Sequence, residues 1–323
     1  MPSDRLKKFH DRLSLPLIAA PMFLVSGVEL MVAACRNGVI GSFPTVNCRS
    51  TEQLEAWLTE IETRLRQHED QAGRRAAPLC PNLIVHRSNA RLEQDLAVLL
   101  RHRPEIVITS VGSPAAVLKP LHDAGALVLA DVASIRHAER AAEARADGLV
   151  LLTAGAGGQT GWLNPFAFVR AVRVFYDGII VLAGGISDGR ALHAAEVLGC
   201  DLAYMGTKFI ATRESMADER HKQMLVDSSA DDILLTTAFT GLRTSMLRPS
   251  ILAAGLDPDN LPARDAIDIG NDIDVTAREN RPKRWRDIWS GGHSTSGVTD
   301  VTAVDELVAR TVAEYRAAGG GAE

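Results

Sequence analysis

The chain has 323 residues, 46% hydrophobic and 23% charged, with a formal net charge of −5 at pH 7. That length buries a full core, and the mild acidity argues against nucleic acid or an anionic membrane surface as the main partner. The four cysteines, Cys35, Cys48, Cys80 and Cys200, form no C-x-x-C pair and no metal-spaced cluster with histidine, so they read as free thiols of a reducing cytoplasm, with no metal.

Residues 1–11 are charged and lack an apolar signal core. The most apolar stretch, 15–35, is interrupted by Pro21, Ser26, Gly27 and Glu29 before it reaches membrane-span length. A cytoplasmic chain without a membrane segment is expected. Residues 17–22 make a first apolar strand stopped by Pro21, after which Ser26 is placed to cap a helix carrying Leu30, Met31, Ala34 and Cys35. A second strand over 39–43 leads to Ser50, the expected cap of a helix whose inward face is Leu54, Trp57, Leu58, Ile61 and Leu65. Strands over 82–85, 106–109 and 127–130 follow, each with a helical segment behind it: 88–100, one opened by Ser113-Pro114, and 134–145. Strands over 149–152, 179–183 and 202–205 complete the set.

Strands that are apolar throughout and alternate with amphipathic helices indicate a parallel sheet covered on its outer face. Eight such units predict an α/β fold, a closed (β/α)8 TIM barrel; an open doubly wound sheet would show fewer strands and a fingerprint near its start. Beyond Thr207 the regularity stops. Residues 214–227 read as a helix, 231–237 as a strand or buried turn, and 256–282 as a polar, turn-rich tract. The expected organisation is a barrel over 1–212, closed by a helix over 303–317, with 213–302 as a smaller lid or substrate subdomain over the barrel mouth. Gly319, Gly320 and Gly321 read as a frayed tail.

Three late strands run into glycine. The run from Gly148 to Leu152 opens into Gly155, Gly157, Gly158 and Gly161, a cluster suited to backbone passing close to a flat or phosphorylated ligand, the alternative being a mobile surface loop. Residues 179–183 run into Gly184 and Gly185, and 202–205 into Gly206 and Thr207. In parallel barrels the loops after the last two strands commonly hold phosphate through backbone N–H groups.

Taken together, Ala20-Pro21-Met22, Ala154-Gly155-Ala156-Gly157-Gly158, Ala183-Gly184-Gly185-Ile186 and Met205-Gly206-Thr207 resemble the nitronate monooxygenase family, formerly the 2-nitropropane dioxygenases. The resemblance covers residues 15–215 and returns at 283–292. Each motif alone is weak, since inosine monophosphate dehydrogenases carry a similar phosphate site; their order and spacing are more specific. The resemblance implies an FMN-dependent barrel enzyme. Ala20, Pro21 and Met22 would lie against the isoalloxazine ring with Asn82 nearby. Gly184, Gly185, Gly206 and Thr207 would hold the phosphate, and Ala154, Gly155, Gly157 and Gly158 would pass beside flavin and substrate.

Two departures stand out. Many members have histidine, regarded as the acid or base, where this chain has Gln159, which hydrogen-bonds but shuttles no proton. Relatives tend to carry a basic residue where this chain has Asp131, which puts one flavin or substrate contact in doubt. The leading expectation is oxidation of alkyl nitronates with O2, since a nitronate is already deprotonated. The alternative is an NAD(P)H-dependent flavin reductase of a quinone or enoyl thioester, for which Tyr204, His293 or water would supply the proton, although Tyr204 also reads as core and His293 as a solvated loop residue. A thiol-dependent nucleotide dehydrogenase would need a cysteine between Cys80 and Cys200, where none lies. A catalytically silent flavin- or phosphate-binding protein is the remaining class. Trp285 and Trp289 fit either a packed stripe or the active-site mouth. A homo-oligomer is compatible with these features but is not specified by them.

Overall fold

The computed structural model describes residues 4–262, 264, 267 and 287–321. Its strands in chain order are β1 (Leu17–Ala19), β2 (Ile40–Gly41), β3 (Asn82–Ile84), β4 (Ile106–Ser110), β5 (Leu127–Val132), β6 (Gly148–Leu152), β7 (Gly158–Gln159), β8 (Ile179–Ala183), β9 (Leu202–Met205), β10 (Ile233–Thr236) and β11 (Thr244–Leu247). Eight of these form one parallel sheet in the order β2-β1-β9-β8-β6-β5-β4-β3. The two ends meet: the Cys80 N–H donates to Gly41 O and the Asn82 N–H to Phe43 O, both at 2.8 Å, and parallel bridges join Gly41 to Leu79 and Pro44 to Asn82. The sheet is therefore a closed barrel, as the strand–helix alternation predicts.

Strand alternation explains why these segments read as continuous apolar runs. One set of side chains, including Ile18, Ile40, Cys80, Ile108, Leu129, Val150, Val181 and Leu202, packs inside the barrel. The other set, including Leu17, Leu83, Val107, Val128, Leu149, Ile180 and Ala203, packs outward against the helices. Advancing two positions along each strand reaches the uppermost inward layer. There the residues change character: Ala20, Asn82, Ser110, Asp131, Leu152, Ala183 and Tyr204.

The local signal succeeds at Ser50, which caps the helix Thr51–Ala72 by accepting from the Gln53 N–H, and Ser134 caps Ile135–Glu143 in the same way by accepting from the His137 N–H. Ser26 is a correction. Gly27 occupies the cap of Val28–Arg36 without a side-chain bond, while Ser26 Oγ accepts from the Met22 N–H at 3.0 Å. The hydroxyl is engaged by the loop after β1, and the helix starts on tertiary packing instead. Gly320 is a second correction: its N–H donates to Tyr315 O at 2.9 Å and it is buried against the Tyr315 ring, so this part of the tail is held.

The helix Val304–Ala317 packs on the helices Gly189–Leu198 and Val28–Arg36, and Glu314 accepts from the Gly189 N–H at 3.0 Å. Past β9 the helix expected over 214–227 is confined to Glu219–Val226, started by Asp218, whose side chain accepts from the Arg220 N–H, and β10 and β11 pair antiparallel with each other and with the earlier β7 in the order β10-β11-β7. Residues 231–237 thus supply a strand. The tract 256–282 lies outside the described residues from 268 onward, as does Trp285. Among the described residues no helix is long and apolar enough to cross a membrane, no acidic, histidine or cysteine group could hold a metal ion, and all four cysteines are buried free thiols.

Candidate active site at the barrel mouth

A cavity of about 250 Å³ opens at the carboxyl ends of the barrel strands. Its floor is the upper inward layer just described, so the barrel register itself delivers Ala20, Asn82, Asp131 and Tyr204 to one place. Pro21, Met22, Gly155, Gly157, Gly158, Gln159, Gly184, Gly185, Gly206 and Thr207 also line it. Two of the residues singled out in the sequence do not. Ala154 lies behind the loop, its N–H donating to Leu163 O at 2.8 Å. His293 is exposed and sits on the far side of Gly155, where a Cβ would come within 2.6 Å of its Nδ1.

The loop after β1 is clamped. Asn47 Nδ2 donates to Met22 O at 3.0 Å and Ser26 O at 2.8 Å, while its Oδ1 accepts from the Leu24 N–H at 3.0 Å. Leu24 is held at φ +59, a left-handed conformation that leucine avoids unless its surroundings impose it. On the adjacent strand end, a Cβ on Gly206 would touch the Ala20 Cβ at 3.5 Å and Met22 Sδ at 3.6 Å, so the loops after β1 and β9 form one continuous wall.

The glycine cluster after β6 serves protein packing as well as the cavity. A Cβ on Gly157 would meet Gly292 N at 3.0 Å, and one on Gly292 would meet Gly155 O at 2.6 Å. The segment 291–293 is laid backbone to backbone on this loop, and its Gly292 N–H donates to Thr207 Oγ1 at 3.0 Å. The two glycines after β8 divide similarly. Gly184, at φ +127, would drive a Cβ to 2.4 Å from Thr153 Oγ1, whereas Gly185, at φ +74, has nothing within 4 Å and faces open space. Gly184 is dictated by the fold; Gly185 is left bare toward the cavity.

The floor carries unfinished hydrogen bonding. Ser110 Oγ donates to Asn82 Oδ1 at 3.1 Å, which turns the amide so that Nδ2 is the unpartnered end. Asp131 Oδ1 and the Tyr204 hydroxyl are likewise enclosed without partners. The Asp131 residue keeps some surface toward the cavity, yet burial of its carboxyl with no compensating cation pushes its pKa up to about 8. Burial, with the Asp131 charge beside it, also raises Tyr204 well above the usual phenol range.

Gln159 enters the cavity wall on β7, held by the pairing of Gln159 with Thr244 on β11. Facing the same space is His221, which reading of the sequence passed over. Its Nε2–H donates to Ser290 O at 3.0 Å, its ring stacks on Trp289 at 5.2 Å, and burial lowers its pKa to about 4, so it is a neutral imidazole. Nothing local marks it. It lies on an ordinary amphipathic helix in the irregular part of the chain, and only the return of residues 288–291 reveals what it faces.

A family model described as nitronate monooxygenase matches residues 4–314. A nitronate monooxygenase from Paraburkholderia phytofirmans is 27% identical, with 93% of this chain and 92% of that protein covered. One from Pseudomonas aeruginosa is 31% identical over 70% of this chain and 74% of its own. In three dimensions the chain is similar to nitroalkane oxidase from Streptomyces ansochromogenes, with a TM-score of 0.81, 22% identity, and 96% and 98% of the two chains covered.

Proposed function

This chain belongs to the nitronate monooxygenase family of oxidoreductases, and on that premise we propose that it binds FMN at the barrel mouth and oxidises alkyl nitronates with O2. The family's enzymes are flavoenzymes, and the residues present fit a flat, phosphorylated group. Ala20, Pro21 and Met22 form an apolar wall, Gly185 leaves open space beside it, and Asn82 Nδ2 waits for an acceptor on the floor. In this reading the loops at Gly184, Gly185, Gly206 and Thr207 hold the phosphate, and one such cradle suits FMN better than FAD. A bound flavin would supply the two-electron redox chemistry.

The observation that carries the choice of substrate is Gln159 in the cavity wall, a side chain that hydrogen-bonds but takes no proton, with the neighbouring His221 lowered by burial to about 4. Oxidising a neutral nitroalkane needs a base for the α-carbon; a nitronate has already lost that proton. Gln159 can donate its amide N–H groups to a nitro oxygen and hold the anion in place. The described segments 219–226, 244–247 and 287–291, which bring His221, Thr244 and Trp289 to the cavity, act as the lid that excludes water.

The test is anaerobic stopped-flow reduction of the bound flavin by a nitronate, NADH and NADPH in parallel. Rapid reduction by the nitronate supports the proposal. Reduction by a nicotinamide cofactor with none by the nitronate overturns it and leaves the flavin reductase reading.

A further inference from the structure

Three residues that line one cavity each carry an enclosed polar atom without a partner: Asn82 Nδ2, the Tyr204 hydroxyl and Asp131 Oδ1. They come from β3, β9 and β5, strands far apart in sequence, and the alternation of each strand turns all three toward the barrel interior. Asn82 and Tyr204 can both donate. Their common need is an acceptor.

The state of Asp131 decides what kind of ligand the floor takes. Below it lie Leu129 and Val150 of the inner core. The ionisable groups around it are Cys80 ahead of β3 and Tyr204 on β9, and Asp131 pushes the ionisation of both upward. The neighbouring strands β4 and β6 bring Ser110 and Leu152 to this layer, neither of which ionises, and among the described residues no cation offsets the carboxyl. A carboxylate here would be a buried charge without a counter-charge, beside two groups that also resist ionisation.

We propose that Asp131 works as a neutral carboxylic acid, which with Asn82 and Tyr204 forms a row of hydrogen-bond donors selecting an uncharged, acceptor-rich edge of a planar heterocycle. The proposal rests on the flavin reading, the heterocycle being the ring of FMN. It makes Asp131 a positioning residue whose proton is part of the binding site.

The full chain, freed of flavin, is titrated with FMN by fluorescence quenching from acid to alkaline pH, alongside Asp131→Asn and Asp131→Leu. Wild-type affinity is expected to hold below about 8 and to weaken about tenfold per pH unit above it, because binding then requires taking up a proton. Asp131→Asn keeps a donor without the titration, so its affinity stays near wild type and flat with pH; Asp131→Leu is weak throughout. A second readout needs no ligand. The unfolded chain releases this proton near the ordinary value of 3.8 while the folded chain keeps it to about 8, so wild-type thermal stability falls relative to Asp131→Asn across that interval and the gap is constant above it.

Parallel stability curves, or a wild-type affinity that does not fall in alkali, overturn the role of Asp131. Failure of FMN to bind at any pH overturns the flavin reading with it, an outcome distinct from pH-independent binding. If Asp131→Asn does not fold, the infrared carbonyl band of a carboxylic acid in the wild-type chain at neutral pH, lost in alkali, decides the point; its absence at neutral pH refutes the proposal.

Discussion

Gly185→Asp isolates the phosphate cradle from the fold. Gly185 has φ +74, and a Cβ placed on it would meet no atom within 4 Å, so an aspartate fits sterically and costs only the left-handed backbone, ~1–2 kcal/mol. A loss of a few degrees in melting temperature is the expected structural effect. Its carboxylate would face the phosphate: two unit charges at ~4 Å and an effective dielectric of ~20 repel by about 4 kcal/mol, or roughly a thousandfold in affinity. Gly184→Ala is the contrasting variant, since its methyl would lie 2.4 Å from Thr153 Oγ1 and 3.1 Å from Ala156 N. Overpacking and strain together cost ~2–6 kcal/mol, so that variant loses stability first. Flavin retained after gel filtration, read beside melting temperature, separates the two. A folded Gly185→Asp protein with wild-type flavin occupancy would refute the cradle, and Gly185→Asn checks that charge rather than bulk is responsible.

At the substrate wall, Gln159→Ala is expected to lose ~1–3 kcal/mol of transition-state stabilisation in kcat/KM for nitronates, whereas Gln159→His keeps that turnover and adds activity on neutral nitroalkanes; a Gln159→Ala enzyme as fast as wild type removes Gln159 from the site. Asn47→Ala breaks three hydrogen bonds to the loop after β1, costs ~2–3 kcal/mol in denaturant unfolding and weakens flavin binding through Met22; unchanged unfolding would show the loop holds itself. His221 is neutral when folded, with its pKa lowered from 6.5 to about 4, so its unfolded form takes up a proton first and stability falls as pH drops between those values, by about 1.4 kcal/mol per unit. His221→Gln flattens that part of the stability profile, and an identical acid slope in the variant would show that His221 is solvated. Flavin released on denaturation is expected to be FMN, and recovery of FAD contradicts a single phosphate cradle.

The barrel was legible because its information is local and repeated. Each inner strand must bury both faces, which forces the uninterrupted runs at 106–109, 149–152 and 179–183, and each returning helix must show an apolar stripe. Gly185 and Gly206 were legible for the same reason, standing where a barrel's last strands end. What the tertiary structure alone decided concerns contacts between distant segments. Whether Ser26 caps a helix or ties a loop depends on where Met22 lies. Gly155 and Gly157 face the cavity on one side and residues 291–293 on the other, a division that spacing cannot express. His221 gains its place from Ser290 and Trp289, and Tyr204 on β9 is brought round toward Asn82 on β3 only when the sheet closes between β2 and β3. A periodicity fixes which way a side chain faces along its own strand; which other strands it meets there is set by closure, register and packing, which no single segment contains.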